Sequence, residues 1–247
     1  MTKHIAVLYK VENQIATITM NRPEVKNALS KAMLNELYQS FENAQNDDLV
    51  KVIVLQGSQN AFSAGADLKS IPLEELETFD YGTFLEEQYN RLIRLIVSTE
   101  KPVLAYINGI AVGAGLSLAL ACDYRIATED AKMGLGFLKI GLVPDAGASY
   151  FLPRLVGLSN SMELALGTII SAEKAERMNL INQIGDPAPF ITSLTHLPPT
   201  AFSLMKQNFR QSFEHNLDDM LQMEVNAQRQ AGETKEHKAA ILQFLKK

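Results

Sequence analysis

PVLAYINGIAVGAGLSLALACDYRIA, residues 102–127, carries the order strand, glycine-rich bend, apolar helix, strand. Pro102 to Ile107 is a short apolar run bounded by a proline and the Asn108-Gly109 pair, the pattern of a buried strand. Leu116 to Cys122 is an apolar helix candidate, and Tyr124 to Ala127 returns to extended structure. Such a β-α-β order places the chain in the α/β class.

The same alternation extends toward the N-terminus. Ile5 to Lys10 and Gln14 to Met20 are β-branched, partly alternating runs parted by Glu12 and Asn13, which predicts a hairpin. After the turn at Asn21-Arg22-Pro23, Ser30 caps a helix whose Met33, Leu34, Leu37, Phe41 and Ala44 fall on one face. Lys51 to Gln56 then reads as a buried strand ending at Gly57. Toward the C-terminus, Gly147 to Val156 and Asn160 to Leu166 look helical, and Ser171 is a further N-cap. Pro187, Pro189, Pro198 and Pro199 interrupt the pattern and predict a hinge or linker. Beyond them Thr200 to Arg210, Leu217 to Ala231 and Thr234 to Lys246 read as three amphipathic helices. The expected organisation is an α/β core over residues 1–185 followed by a helical tail over 186–247.

The bulk composition narrows the function classes. A chain of 247 residues with 47% hydrophobic content buries one sizeable core unaided. The formal charge of −5 supplies no long-range attraction for nucleic acid or an anionic membrane. No basic-then-apolar leader opens the chain, and the apolar run at Leu116 to Ala121 is far below the roughly 20 residues that span a bilayer. With the single thiol of Cys122 this predicts a soluble, cytoplasmic protein. His4, His196, His215 and His237 lie in termini or tail helices, and no spacing suggests a metal site or a Ser-His-Asp triad.

Three glycine-containing bends follow strands or precede helices: AFSAGADL (Ala61–Leu68), NGIAVGAGLSLALACD (Asn108–Asp123) and KIGLVPDAGASYFLPRLVG (Lys139–Gly157). Their shared property is backbone N–H groups open to a ligand. Two such donors from separate loops, one at a helix start, stabilise an enolate oxygen grown from a thioester carbonyl. Each bend taken alone is ordinary turn chemistry.

Taken together, and with NRPEVKNALS after the hairpin, these motifs resemble the crotonase (enoyl-CoA hydratase/isomerase) superfamily in order and spacing, from about Val7 to Ile184. The resemblance implies a crotonase-like spiral of repeated β-β-α units. It also implies an acyl-CoA thioester substrate, no cofactor beyond the coenzyme A of that substrate, and a homotrimer or dimer of trimers. Carried over by position, the oxyanion donors are the N–H groups of Ala66 and Ala114. Hydratases of the family carry two glutamates where this chain has Ser117 and Phe137. Asp145, in Val143-Pro144-Asp145-Ala146-Gly147, stands where several isomerase branches place an aspartate, and the phrase looks closest to the phenylacetate-type isomerases that act on epoxy-phenylacetyl-CoA and 3-enoyl-CoA.

A lone carboxylate suffices to move a double bond, since one base removes a proton at C2 and returns it at C4. The expected activity is therefore 3-enoyl-CoA to 2-enoyl-CoA isomerisation or a related ring isomerisation. The alternatives are a hydratase-like enzyme, a hydrolase or dehalogenase with Asp145 as nucleophile, and a non-catalytic CoA-binding subunit. For Asp145 itself the competing reading is the cap of a turn leading into a helix. An apolar surround of Phe137, Leu142, Val143 and Ala146 would raise its pKa.

Ala64, Leu68 and Leu142 fall in the same bends and are expected to line the acyl-CoA site. Ser117 either meets substrate or faces its own helix. Asp67 is expected to order its loop through backbone hydrogen bonds, and Asp123 and Arg125 to form a structural pair. Arg22 and Lys26 flank the first turn where family members contact CoA. Phe244 and Lys247 match the closing helix that packs on the CoA of a neighbouring subunit. Ile71 to Tyr89 lies where the family builds one wall of the acyl site. Between Ile184 and Phe202 the chain is shorter than its family's pattern, which should change how the tail docks.

Overall fold

The computed structural model describes residues 5–75 and 77–246. His4 and Lys247, named above, and Leu76, within the Ile71 to Tyr89 stretch, lie outside the described residues. β1 (Val7–Glu12) and β2 (Ile15–Met20) pair antiparallel through a turn in which Asn13 and Gln14 have φ of 49° and 68°. Two successive positive φ values make a turn whose twist matches the strands. Ala16, Ile18 and Met20 alternate inward and are fully buried.

In α1 (Lys31–Asn46) the Ser30 hydroxyl accepts a hydrogen bond from the Met33 N–H at 3.3 Å, as an N-cap should. All five residues of its expected apolar face are buried against the sheet.

The rest of the core winds as a spiral. β3 (Val52–Gly57) enters a large sheet and β4 (Ala61–Ser63) a small one; α2 (Tyr81–Phe84), a π-helical stretch at Leu85–Asn90 and α3 (Arg91–Ser98) follow. β5 (Val103–Ile107), β6 (Ile110–Val112) and α4 (Ala114–Ala121) repeat the unit, as do β7 (Tyr124–Ala127), β8 (Lys132–Gly134) and α5 (Ala148–Ala165). β9 (Ile170–Ser171), α6 (Ala172–Arg177) and β10 (Gln183–Ile184) complete the sheets. The large sheet runs β1-β2-β3-β5-β7-β10, parallel beyond the hairpin, and the small one β4-β6-β8-β9. This is the expected β-β-α spiral.

Asn108 locks two neighbouring corners of it. Its Nδ2 donates to Gly57 O at 2.7 Å and Gln59 O at 2.6 Å, and its Oδ1 accepts from Gly57 N at 3.0 Å. Every residue of α4 is buried, which suits a helix apolar on all sides and sets its N-terminus inside the molecule. α5 breaks at Gly157, at φ 74° and ψ 164°, into the two helices expected there.

Two sequence expectations are corrected. The proline-rich passage is no linker: it forms α7 (Ala188–Thr195) and the start of α8 (Pro199–Gln211), with proline in the first turn of each. Proline costs nothing there, because the first N–H groups of a helix have no partner within it. Ile191 and Leu194 of α7 pack on Val52, Val54, Leu104 and Ile126 of the large sheet.

Asp123 and Arg125 do not pair with each other. Asp123 binds Lys206 Nζ at 2.7 Å and Arg210 Nη2 at 2.9 Å, fastening α8 to the core. Arg125 instead donates to the carbonyls of Leu180 and Cys122. α9 (Leu217–Glu233) and α10 (Lys235–Phe244) complete the tail. Among the described residues no helix is long and apolar enough to cross a membrane.

Candidate active site

The site forms where the ends of β4 and β6 meet the start of α4. Leu29 makes an isolated parallel bridge with Ala66: its N–H donates to Gly65 O, and its carbonyl accepts from Asp67 N. In that pairing the N–H of Ala66 itself points away from the bridge, toward the open side of the loop. Ala114 is the first residue of α4, so its N–H has no acceptor within the helix and lies at the positive end of the dipole.

The preceding Gly113 adopts φ 54° and ψ −131°, a conformation closed to residues with a Cβ. The two loops touch without a side chain between them, since a Cβ on Gly65 would lie 2.8 Å from Val112 O and 3.5 Å from Ala114 N. Two convergent donors and a helix terminus suit a developing oxyanion.

Asn27 supports this loop; it falls within the NRPEVKNALS motif, but the motif does not single it out as a functional residue. Fully buried at φ 55°, it donates to Ser58 O and Ala61 O at 3.1 and 2.8 Å and accepts from Arg22 N at 2.9 Å. Its own carbonyl accepts from Ser63 Oγ, which in turn accepts from Gly65 N. Asparagine at positive φ is the one local signal that marks such a residue.

The remaining predicted residues divide. Phe137, nearly buried, brings its ring to 4.0 Å from where a Gly113 Cβ would stand, so it walls the donor site. Leu142 is tied to it by a hydrogen bond from its N–H to Phe137 O. Ala64 donates its N–H to Lys26 O, which holds the exposed Lys26 beside the loop that carries Ala66. Leu68 is partly exposed on the same loop. Ser117 is fully buried and donates to Gly113 O in its own helix at 3.3 Å.

Arg22 does not present its guanidinium to solvent for a phosphate. Its Nη1 donates to Asp67 Oδ2 at 2.7 Å and to Ala28 O at 2.9 Å. Asp67 thus orders its loop through an ion pair, not through the backbone bonds expected of its side chain. Phe244 is 75% exposed at the end of α10, which packs on α9, and the single chain does not bring it to the site.

Asp145 sits in the turn before α5. Its carbonyl accepts from Ala148 N, but its side chain does not cap the helix, whose N-cap is Gly147. Oδ1 is buried with no hydrogen-bond partner among the described residues. Burial pushes the carboxyl up to about 6, into the range of a useful base near neutral pH. Ala146, buried at φ 48°, is strained backbone beside it. The capping alternative therefore fails on geometry, and burial raises the pKa in the expected direction, while Val143, one of the four residues expected around the carboxyl, is 72% exposed.

The model of the enoyl-CoA hydratase/isomerase family matches residues 10–247. The chain belongs to the enoyl-CoA hydratase/isomerase family. A probable enoyl-CoA hydratase of Rhodobacter capsulatus is 37% identical over 249 residues, covering 98% of this chain and 95% of the relative. The 1,2-epoxyphenylacetyl-CoA isomerase of Escherichia coli is 34% identical with the same coverage. A crystal structure of an enoyl-CoA hydratase/isomerase from Mycobacterium abscessus superposes with a TM-score of 0.88 at 35% identity, over 97% of this chain and 96% of the other. Membership in the family makes this chain an enzyme acting on acyl-CoA thioesters, and the crotonase fold is shared.

Proposed function

We propose that this enzyme is an isomerase that moves a double bond of an acyl-CoA from the 3- to the 2-position, with Asp145 as its single acid/base group. The observation that carries this is the half-buried carboxyl of Asp145, its Oδ1 buried without a hydrogen-bond partner among the described residues and its pKa close to neutrality, in a site whose Ser117 and Phe137 provide no second carboxylate. Hydration needs one group to activate water and another to manage the α-proton; a double-bond shift needs one group acting twice.

In the proposed reaction the N–H groups of Ala66 and Ala114 bind the thioester oxygen. Asp145 takes the proton from C2, the dienolate charge rests on the oxyanion donors, and the same carboxyl returns the proton to C4. The exposed Lys26 and the tail helices face the coenzyme A portion, in an assembly of three chains or a pair of such trimers, in the cytoplasm.

The test is 3-hexenoyl-CoA, followed by the absorbance of the conjugated 2-enoyl product, with crotonyl-CoA hydration and free thiol release measured in parallel. Conjugation that Asp145→Asn reduces by at least about 10³-fold, with CoA affinity kept, is the expected result. Hydration that survives Asp145→Asn would sink the one-carboxylate reading, and thiol release dependent on Asp145 would make it a nucleophile.

A further inference from the structure

Besides Asp145 Oδ1, the buried polar side-chain atoms without a hydrogen-bond partner among the described residues include Gln88 Oε1 and the hydroxyl of Tyr89, neither used by the proposed reaction. Tyr89 lies in the π-helical stretch Leu85–Asn90, where one extra residue per turn re-aims side chains and which recurs at functional sites. It is 4% exposed, its ring meets Phe84 edge-on at 5.9 Å, and its hydroxyl has no hydrogen-bond partner among the described residues. A buried hydroxyl left unpaired costs about 1–3 kcal/mol, so its retention needs a reason.

Its surroundings supply one. One helical turn on, Ile93 packs within 3.4 Å of where a Cβ on Gly147 would stand, so the Tyr89 segment lies against the turn that carries Asp145. The Tyr89 phenol is raised above its ordinary pKa, first by burial and then by the charges of Asp145 and Asp67. The hydroxyl thus lies within reach of the charges of both Asp145 and Asp67, on a segment packed against the Asp145 turn. At working pH it keeps its proton, which makes it a fixed donor and a poor acid.

We propose that Tyr89 is a substrate-contacting specificity residue, whose hydroxyl donates a hydrogen bond to an oxygen on the acyl portion of the substrate. An acyl-CoA with an oxygen there pairs the Tyr89 donor, while its reacting C–H meets Asp145. An all-carbon acyl chain such as 3-hexenoyl still meets Asp145 but leaves the donor buried and unpaired, and so binds less tightly than its oxygenated counterpart. The inference rests on the acyl group being held beside Asp145.

The test compares the dissociation constants of phenylacetyl-CoA and 2-hydroxyphenylacetyl-CoA by calorimetry, for the wild-type enzyme and for Tyr89→Phe, which removes only the unpaired atom. The wild type is expected to prefer the oxygenated ester by about fivefold to tenfold, and Tyr89→Phe to bring the ratio near 1. A wild-type ratio near 1, or the same ratio in both proteins, overturns the proposal. So does an unchanged ratio joined to an upward shift in the pH profile of isomerisation, which would make the phenol a positioning residue for the Asp145 carboxylate. Because the ratio is read from binding, it stands apart from the turnover of Asp145→Asn; loss of the Asp145 assignment and loss of the Tyr89 assignment give different results.

Discussion

Asp145 is held at a cost to the fold, and its pH dependence has a definite sign. An unfolded aspartate titrates near 3.9, whereas burial moves the folded one to about 6. Between those values the native state binds more protons than the unfolded state, so stability falls as pH rises from about 4 to about 6 and then levels off. Asp145→Asn removes the buried charge and this slope. Thermal melts of the two proteins should coincide in slope outside that window, with the variant gaining on the wild type inside it and melting higher at pH 7. In the same window kcat/KM for isomerisation should climb tenfold per pH unit and reach a plateau above about pH 6. A flat pH profile through 6, or a variant that melts lower at pH 7, would remove Asp145 from the role of buried base. The residue itself was legible in the sequence as Pro-Asp-Ala-Gly within a family motif. That its side chain caps nothing was not, because the turn alone allows both arrangements.

Whether a donor is usable depends on the start of an element, here α4. Gly113 holds φ 54° and ψ −131° so that the Ala114 N–H faces the site. A Cβ there would meet nothing closer than 4.0 Å, the Phe137 ring, so Gly113→Ala suffers from conformation and not from crowding. The variant should lose about 1–3 kcal/mol of stability and about 10²-fold or more in kcat as the donor turns aside. A normal kcat with unchanged substrate affinity would show that the oxyanion is bound elsewhere. Elements of this kind were the readable part of the chain. The hairpin, the capped α1 and the apolar α4 follow from local period and capping residues, which act over a few positions. The prolines misled because they mark helix starts as readily as breaks. Asp123 misled because its true partner, Lys206, lies 83 residues away, beyond any local pattern. The same limit hid Asn27 and the Tyr89 hydroxyl, whose roles arise only when distant loops meet.

For the molecule as a whole, the tail is the unresolved balance of buried surface. Neither α9 nor α10 contains a buried residue, although both are amphipathic. Leu217, Leu221 and Val225 follow one another at four-residue steps along α9 and are 73%, 49% and 42% exposed. Helices of 17 and 10 residues gain little from propensity alone and need an apolar face covered to persist. α8, fastened to the core by Asp123, gives α9 one neighbour; a second copy of the chain is the partner that the proposed trimer supplies. Light scattering on the eluted wild-type enzyme should therefore report a mass three or six times the 27.3 kDa of the chain. The double variant Leu221→Glu with Val225→Glu places two charges on that stripe and should elute as a monomer with its helical circular dichroism largely kept, since no buried contact within the chain is lost. If the double variant keeps the wild-type mass, α9 is not the surface that joins the copies. A wild type that is itself monomeric would leave these helices stable without the cover their pattern calls for.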